Sequence, residues 1–193
     1  MKRAILIPQL PLILAILVIF VSVACQRPQT SETEVERVEN PTLALVIAAL
    51  PDPFEVVTAD GDTIELRSLA GDGEGRAVIS VGELRPNGVN LVEEVKARKA
   101  AFESLPGGTY LGNRELGTPT GTAFTARGTY EGEAGELEET WVYALHPTER
   151  RRLLTLKYTY PAGNSEHRIN ELLLLLGEIE GPTASPGDEE NDG

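Results

Sequence analysis

The sequence predicts an α+β domain: an antiparallel sheet of about six to seven strands with two main helices packed on one face. Three observations predict it. Apolar and polar residues alternate through much of residues 43–84 and 121–160, the period of half-buried strands. Two other segments, near residues 90–105 and 165–177, carry their apolar residues at helical spacing. The last three alternating strands follow one another directly, as in an antiparallel meander.

The chain opens with Lys2 and Arg3 ahead of an apolar run, Leu12 to Val21, which small Ser22 and Ala24 close. Charge followed by a short apolar stretch is the order of a secretion signal, here residues 1–24. An uncleaved anchor is the alternative. Pro8, Gln9 and Pro11 interrupt the segment before it reaches the roughly 20 clean apolar residues of a spanning helix. Cys25 follows, the only cysteine of the chain, so it has no internal disulfide partner. The stretch "VSVACQ" resembles the end of a bacterial lipoprotein signal, in which the cysteine carries lipid as the N-terminus of the mature chain. In that family the third position before the cysteine is usually leucine; here it is Ser22. The resemblance implies that Cys25 is a lipid anchor rather than a nucleophile, and two or more acyl chains suffice for stable attachment.

Residues 25–41 then read as a polar, acidic tether with a reach on the order of 20–25 Å. Residues 182–193, ending "GDEENDG", read as a disordered acidic tail. The domain lies between them, over residues 42–181.

Its first strand is expected within Leu43–Leu50, closed by Pro51-Asp52-Pro53. Phe54–Ala59 and Asp62–Ser68 flank Asp60-Gly61, a two-residue hairpin signal that places Val57 opposite Ile64. Arg76–Leu84 is the fourth strand before a helix that Asn90 caps. In that helix Leu91, Val95, Phe102 and Leu105 share a face, with Arg98 snorkelling from the stripe, and Pro106-Gly107-Gly108 ends it.

In the meander, Phe124, Ala126, Gly128 and Tyr130 alternate with Thr125, Arg127 and Thr129. Trp141, Tyr143 and Leu145 form the next apolar row; Leu154, Leu156, Tyr158 and Tyr160 form the third. One covered and one mostly polar face are expected. The last helix starts at Ser165 and offers Ile169, Leu172, Leu173 and Leu176 as cover, with Leu174 on the far side as a candidate partner contact.

Charge narrows the function. The net charge is -13, and residues 1–24 hold two basic side chains and no acidic one, so without them 15 basic residues face 30 acidic ones. Such a surface repels phosphate backbones and anionic headgroups, which argues against nucleic acid and against a basic membrane patch. Neither His146 nor His167 has a Cys or His at metal-ligand spacing, and no cofactor motif is present. His146-Pro147 reads as a solvated turn. Gly71, Gly73 and Gly75 lack the Lys-Ser/Thr and the helix of a phosphate loop. Asp60, Asp62, Asp72 and Glu74 miss the EF-hand spacing. Glu138 and Glu139 are neighbours on a strand and point to opposite faces, so they do not form a glycosidase-like pair. Trp141 reads as core. What remains for a partner is Arg127 on the polar face, Leu174, and the basic turn Arg150-Arg151-Arg152.

The segments "ALPDPFEVV", "GTAFTARGTYEGEAGELEETWVYAL" and "RRRLLTLKYTY", in this order around the helices, resemble the PsbP-like family, including small exported bacterial members of the DcrB-like type. The resemblance spans roughly residues 42–181 and implies an antiparallel sheet packed on helices and a non-enzymatic accessory, scaffold or ligand-contacting role. The last helix departs from the pattern in being Leu-rich, and no metal or chloride ligands of photosynthetic members map onto this chain. The expectation is therefore a lipid-anchored accessory or binding protein outside the cytoplasm of a bacterium, attached to the membrane through Cys25 and meeting an envelope protein partner. The alternatives are a carrier of a small apolar ligand between sheet and last helix, and a carboxylate-dependent hydrolase.

Overall fold

A computed structural model describes residues 36–69, 74–119, 121–133, 135–163 and 165–182, without the side chains of residues 165–167. The signal, Cys25, Asp72, most of the tether, most of the tail and the His167 side chain lie outside the described residues.

The fold is α+β. Seven antiparallel strands form the main sheet in the order β3-β4-β5-β9-β8-β7-β6. They are β3 (Phe54–Thr58), β4 (Thr63–Ser68), β5 (Gly75–Val81), β6 (Thr109–Thr118), β7 (Gly121–Gly132), β8 (Gly135–Leu145) and β9 (Leu153–Pro161). A small sheet, β1-β2-β10, joins β1 (Val38–Asn40), β2 (Leu45–Ile47) and β10 (Ile179–Glu180). Order therefore begins before Thr42: Val38 and Asn40 turn inward and are buried, which ties down the end of the expected tether. Helix α1 (Leu91–Ser104) carries the chain from β5 to the far edge of the sheet, and the meander β6 to β9 returns to pair with β5. Helix α2 (Ser165–Gly177) follows β9.

Six to seven strands were expected and seven are present; the helices, however, lie on opposite faces. Phe102 and Val95 of α1 are buried over the Phe124, Ala126, Trp141 and Tyr143 row. Leu172, Leu175 and Leu176 of α2 are buried over Val142, Leu154, Leu156 and Tyr158. Register is the reason. Val142 pairs with Leu156 and Tyr143 with Thr155, so the apolar row of β9 continues the Val142 row of β8, not the Trp141 row. Each half of the sheet thus spends its greasy side on a different helix, at about 1.5–3 kcal/mol per fully buried large side chain.

Local details depart likewise. Val57 is the extra residue of a bulge between Val56 and Thr58 and stays exposed; Ile64 pairs with Ile79. Asn90 does cap α1, its side-chain oxygen accepting from the Val92 and Glu93 amides. Arg98 does not snorkel away: its guanidinium lies 3.4 Å from the Trp141 ring centroid and donates to the Tyr143 hydroxyl. Gly128 sits under α1, and a Cβ there would come within 2.5 Å of the Phe102 ring. His146 is buried rather than solvated, because both ring nitrogens are used: Nε2–H donates to the Leu43 carbonyl and Nδ1 accepts from the Glu149 amide.

Candidate functional site

Three buried polar hubs organise the two faces. Glu138 and Glu139 point to opposite sides of β8, as the sequence requires, and each is almost wholly buried. On the α2 side, Glu138 Oε1 accepts from Arg127 Nη2 at 2.6 Å, Arg127 Nε at 3.2 Å and the Tyr160 hydroxyl at 2.9 Å. Burial, reinforced by the Glu138 carboxylate against the opposing Thr140 hydrogen bond, holds the Tyr160 phenol well above its ordinary pKa. On the α1 side, Glu139 accepts from Trp141 Nε1, Tyr130, Thr159 and the Lys157 ammonium. Both carboxylates are already neutralised by cations and donors, the arrangement of structural anchors rather than of a general acid or base.

The third hub fastens α2 to the sheet. Arg168 and Glu171, both buried, lie on the same helical face as Leu172 and Leu175. Glu171 Oε2 accepts from Tyr158 at 2.6 Å and from Ser68 at 3.3 Å, while Arg168 Nη1 donates to Ser68 at 2.9 Å and to the Tyr158 oxygen at 3.0 Å. Burial first, then the Glu171 hydrogen bond, push the Tyr158 pKa up to about 12. The stripe of α2 therefore runs through Arg168, Glu171, Leu172, Leu175 and Leu176; Ile169 and Leu173, expected in it, are only half-buried.

That offset leaves a cleft. Between α2 and the β6–β7 edge lies a solvent-open cavity of about 460 Å³. Arg114, Thr125, Arg127 and Thr140 line its sheet side, and Ile169 and Leu173 line its helix side. Of the residues proposed for partner contact, Arg127 is in this cleft, 28% exposed and paired with Glu138. Leu174 is 60% exposed on the outside of α2, next to cleft-lining Leu173. Arg150 and Arg151 are exposed in the β8–β9 turn, with Arg150 beside Gly121, about 20 Å along β7 from Arg127. Arg152 is structural, donating to the Gly82 carbonyl and pairing with Glu149. The structure therefore separates Arg127 from the basic turn.

Arg114, Glu138 with Tyr160, and Arg168 with Glu171 were not anticipated. For Arg168 and Glu171 a signal existed: Arg168 falls four residues before Leu172 and Glu171 four before Leu175, charged residues within a buried stripe and spaced as an i,i+3 pair. Among the described residues no group of three or more His, Cys, Asp or Glu could hold a metal ion, and no helix is long and apolar enough to cross a membrane.

No family model matches the sequence, and no curated protein matches it. Solved structures do. The chain is similar to PA94 from Pseudomonas aeruginosa, described as a protein of unknown function and putative regulator, at 16% identity and a TM-score of 0.51 over 71% of this chain and 91% of that one. It is also similar to LpqN of Mycobacterium tuberculosis, described as involved in cell envelope biogenesis, at 9% identity and a TM-score of 0.49 over 79% of this chain and 88% of that one. A third is cyanobacterial PsbP (CyanoP) from Synechocystis, at 11% identity and a TM-score of 0.48 over 77% and 92%. The likeness to PA94 shows a shared fold. Fold and site together define an α+β sheet domain with an open cleft beside its last helix.

Proposed function

We propose that the protein is a non-catalytic binding or accessory module of a bacterial cell envelope, held at the membrane by lipid on Cys25 and working through the cleft under α2. The observation that carries the binding reading is the cleft: its side chains are aliphatic, hydroxyl, carboxamide or guanidinium groups, and among the described residues no carboxylate lines it. A carboxylate-dependent hydrolase needs two carboxyl groups converging in one cleft, so the same observation weighs against that alternative. The anchoring reading rests on the sequence, with Lys2 and Arg3, the apolar run to Val21 and the lone Cys25 in signal order. A second reading, a carrier of a small ligand, draws on the Ile169, Leu172 and Leu173 wall and on a volume within the roughly 300–1,000 Å³ of small-molecule sites.

The test of anchoring is membrane fractionation with intact mass. The native chain is expected in the membrane fraction with acyl mass added at Cys25, and Cys25→Ser in the soluble fraction. An unmodified Cys25 in membrane-fractionated protein would refute the anchor.

A further inference from the structure

We propose that the cleft takes an anionic amphiphile, its carboxylate or phosphate head held by Arg114 and Arg127 and its apolar part laid between β6 and α2. This rests on the reading of the cleft as the binding site.

The charge of the lining is the first argument. The chain carries 30 acidic and 17 basic residues, yet among the described residues two guanidinium groups and no carboxylate line the cleft. Glu138 takes Nε and Nη2 of Arg127, and the N–H groups of Nη1 make no hydrogen bond among the described residues. The Arg114 guanidinium has no ion pair or hydrogen bond among them either; only its backbone bonds Thr125. Arg127 is thus held in one orientation by a buried acid that also offsets its charge, and Arg114 supplies the net positive charge. A head of about one negative charge complements that pair, and a fixed guanidinium loses little freedom on binding.

Geometry is the second argument. Arg127 pairs with Gly112 across the β6–β7 ladder and Arg114 with Thr125, so the two arginines are diagonal neighbours on one face, roughly 7–8 Å apart at the backbone. The residue directly opposite Arg127 on β6 is Gly112, and a Cβ there would meet nothing within 4 Å. No side chain therefore stands across the strand from Arg127, in the cavity that both arginines line.

The remaining wall decides against a bare inorganic anion. Leu111, Leu116, Ile169, Leu172 and Leu173 also line the cleft, whose 460 Å³ far exceeds what such an ion fills. Leu111 is 48% exposed at the bulge of β6. An apolar chain would cover it and remove that exposed surface from water. A bilayer surface is a poor occupant, since a chain with a net charge of -13 is repelled by anionic headgroups. In the cleft the nearest described charges are the two guanidinium groups, and charges more than about 8–10 Å away are largely screened by salt.

The experiment uses the purified full chain with a dansyl-labelled fatty acid as fluorescent probe, displaced by dodecanoate, dodecyl phosphate or methyl dodecanoate. Either anion is expected to displace the probe at least about tenfold better than the neutral ester, since charge-assisted hydrogen bonds are at stake. If only one anion does so, the head is that group. Arg114→Gln, at an exposed position, is expected to close most of the gap between dodecanoate and the ester, and Leu173→Gln to weaken all competitors together. An ester that competes as well as the acid, or an acid preference untouched by Arg114→Gln, overturns the anionic head. In that case a loss with Leu173→Gln leaves the cleft as the binding site. A probe that does not bind at all overturns the amphiphile, while the cleft then stands as a site only for a partner without an acyl chain.

Discussion

Raising the pH should unfold this protein through its tyrosines. Tyr158 is fully buried, and burial followed by its hydrogen bond to Glu171 moves its pKa from 10.0 to about 12, against the opposing contacts of Ser68 and Arg168. Tyr160 and Tyr143 are moved in the same direction, with burial again the largest cause. The sign follows from linkage. Below pH 10 the phenol is neutral in the folded and the unfolded chain, so the stability tied to it is fully present. From about pH 10 upward the unfolded chain releases the proton while the folded chain keeps it, and stability falls until the folded phenol ionises too. For Tyr158 the window runs from 10.0 to about 12, two units, or on the order of 3 kcal/mol. That is a large share of a typical 5–15 kcal/mol domain stability. Urea unfolding at successive pH values through this window measures the slope, and tyrosinate absorbance reports ionisation in the folded state. Tyr158→Phe should start less stable at neutral pH, having lost its contact with Glu171, but its stability should fall less steeply with alkali. A slope unchanged in Tyr158→Phe, or full tyrosinate absorbance of the folded protein near pH 10, would refute the reasoning.

Two substitutions test the packing of α1. Gly128→Val drives a side chain into the Phe102 ring, so it should cost about 1–3 kcal/mol in urea unfolding and shift the fluorescence of Trp141, the only tryptophan, which lies under the Arg98 guanidinium; a wild-type midpoint and spectrum would contradict the close approach. Asn90→Ala removes the acceptor for the Val92 and Glu93 amides and should cost about 1 kcal/mol, whereas Asn90→Ser should recover most of it; equal midpoints for the two variants would show that the cap does not hold the helix.

Much of this fold is legible in the sequence, because alternation, helical spacing and an Asn cap are local signals. The strands β3 to β5 and β7 to β9, both helices and the opposition of Glu138 to Glu139 follow from them. Which face a row joins is not local. It depends on the register between strands, and a shift of one residue moves a whole row to the other side. A clue lay in "WVYAL": five apolar residues in succession, Trp141 to Leu145, mark a strand covered on both faces rather than one. Strand β6 lacks such a clue, because "TYLGNRELGT" mixes glycine with charge, as an exposed edge strand does. The cleft was legible only in part, through Arg127 and the Leu-rich helix. Arg114 lies on that unread strand, and the position of α2 is set by Arg168 and Glu171.

Those two charges explain why there is a cleft at all. An amphipathic helix over a sheet ordinarily centres its apolar stripe on the core and leaves little space beside it. Here Arg168 and Glu171 reach Ser68 on β4 and Tyr158 on β9, so α2 is fastened toward the middle and the β4 side of the sheet. The inner side of β6 and β7 is left beyond its edge, with Ile169 and Leu173 facing it half-buried. Breaking a buried ion pair by removing one partner costs about 3–5 kcal/mol, whereas apolar side chains of similar volume would hold the helix as well or better. What those would not fix is its lateral position, because hydrophobic contact is not directional and a hydrogen bond to a named hydroxyl is. The polar hub under α2 thus specifies where the helix stops, and the open strip beside it is the surface on which the Arg114 and Arg127 pair stands exposed.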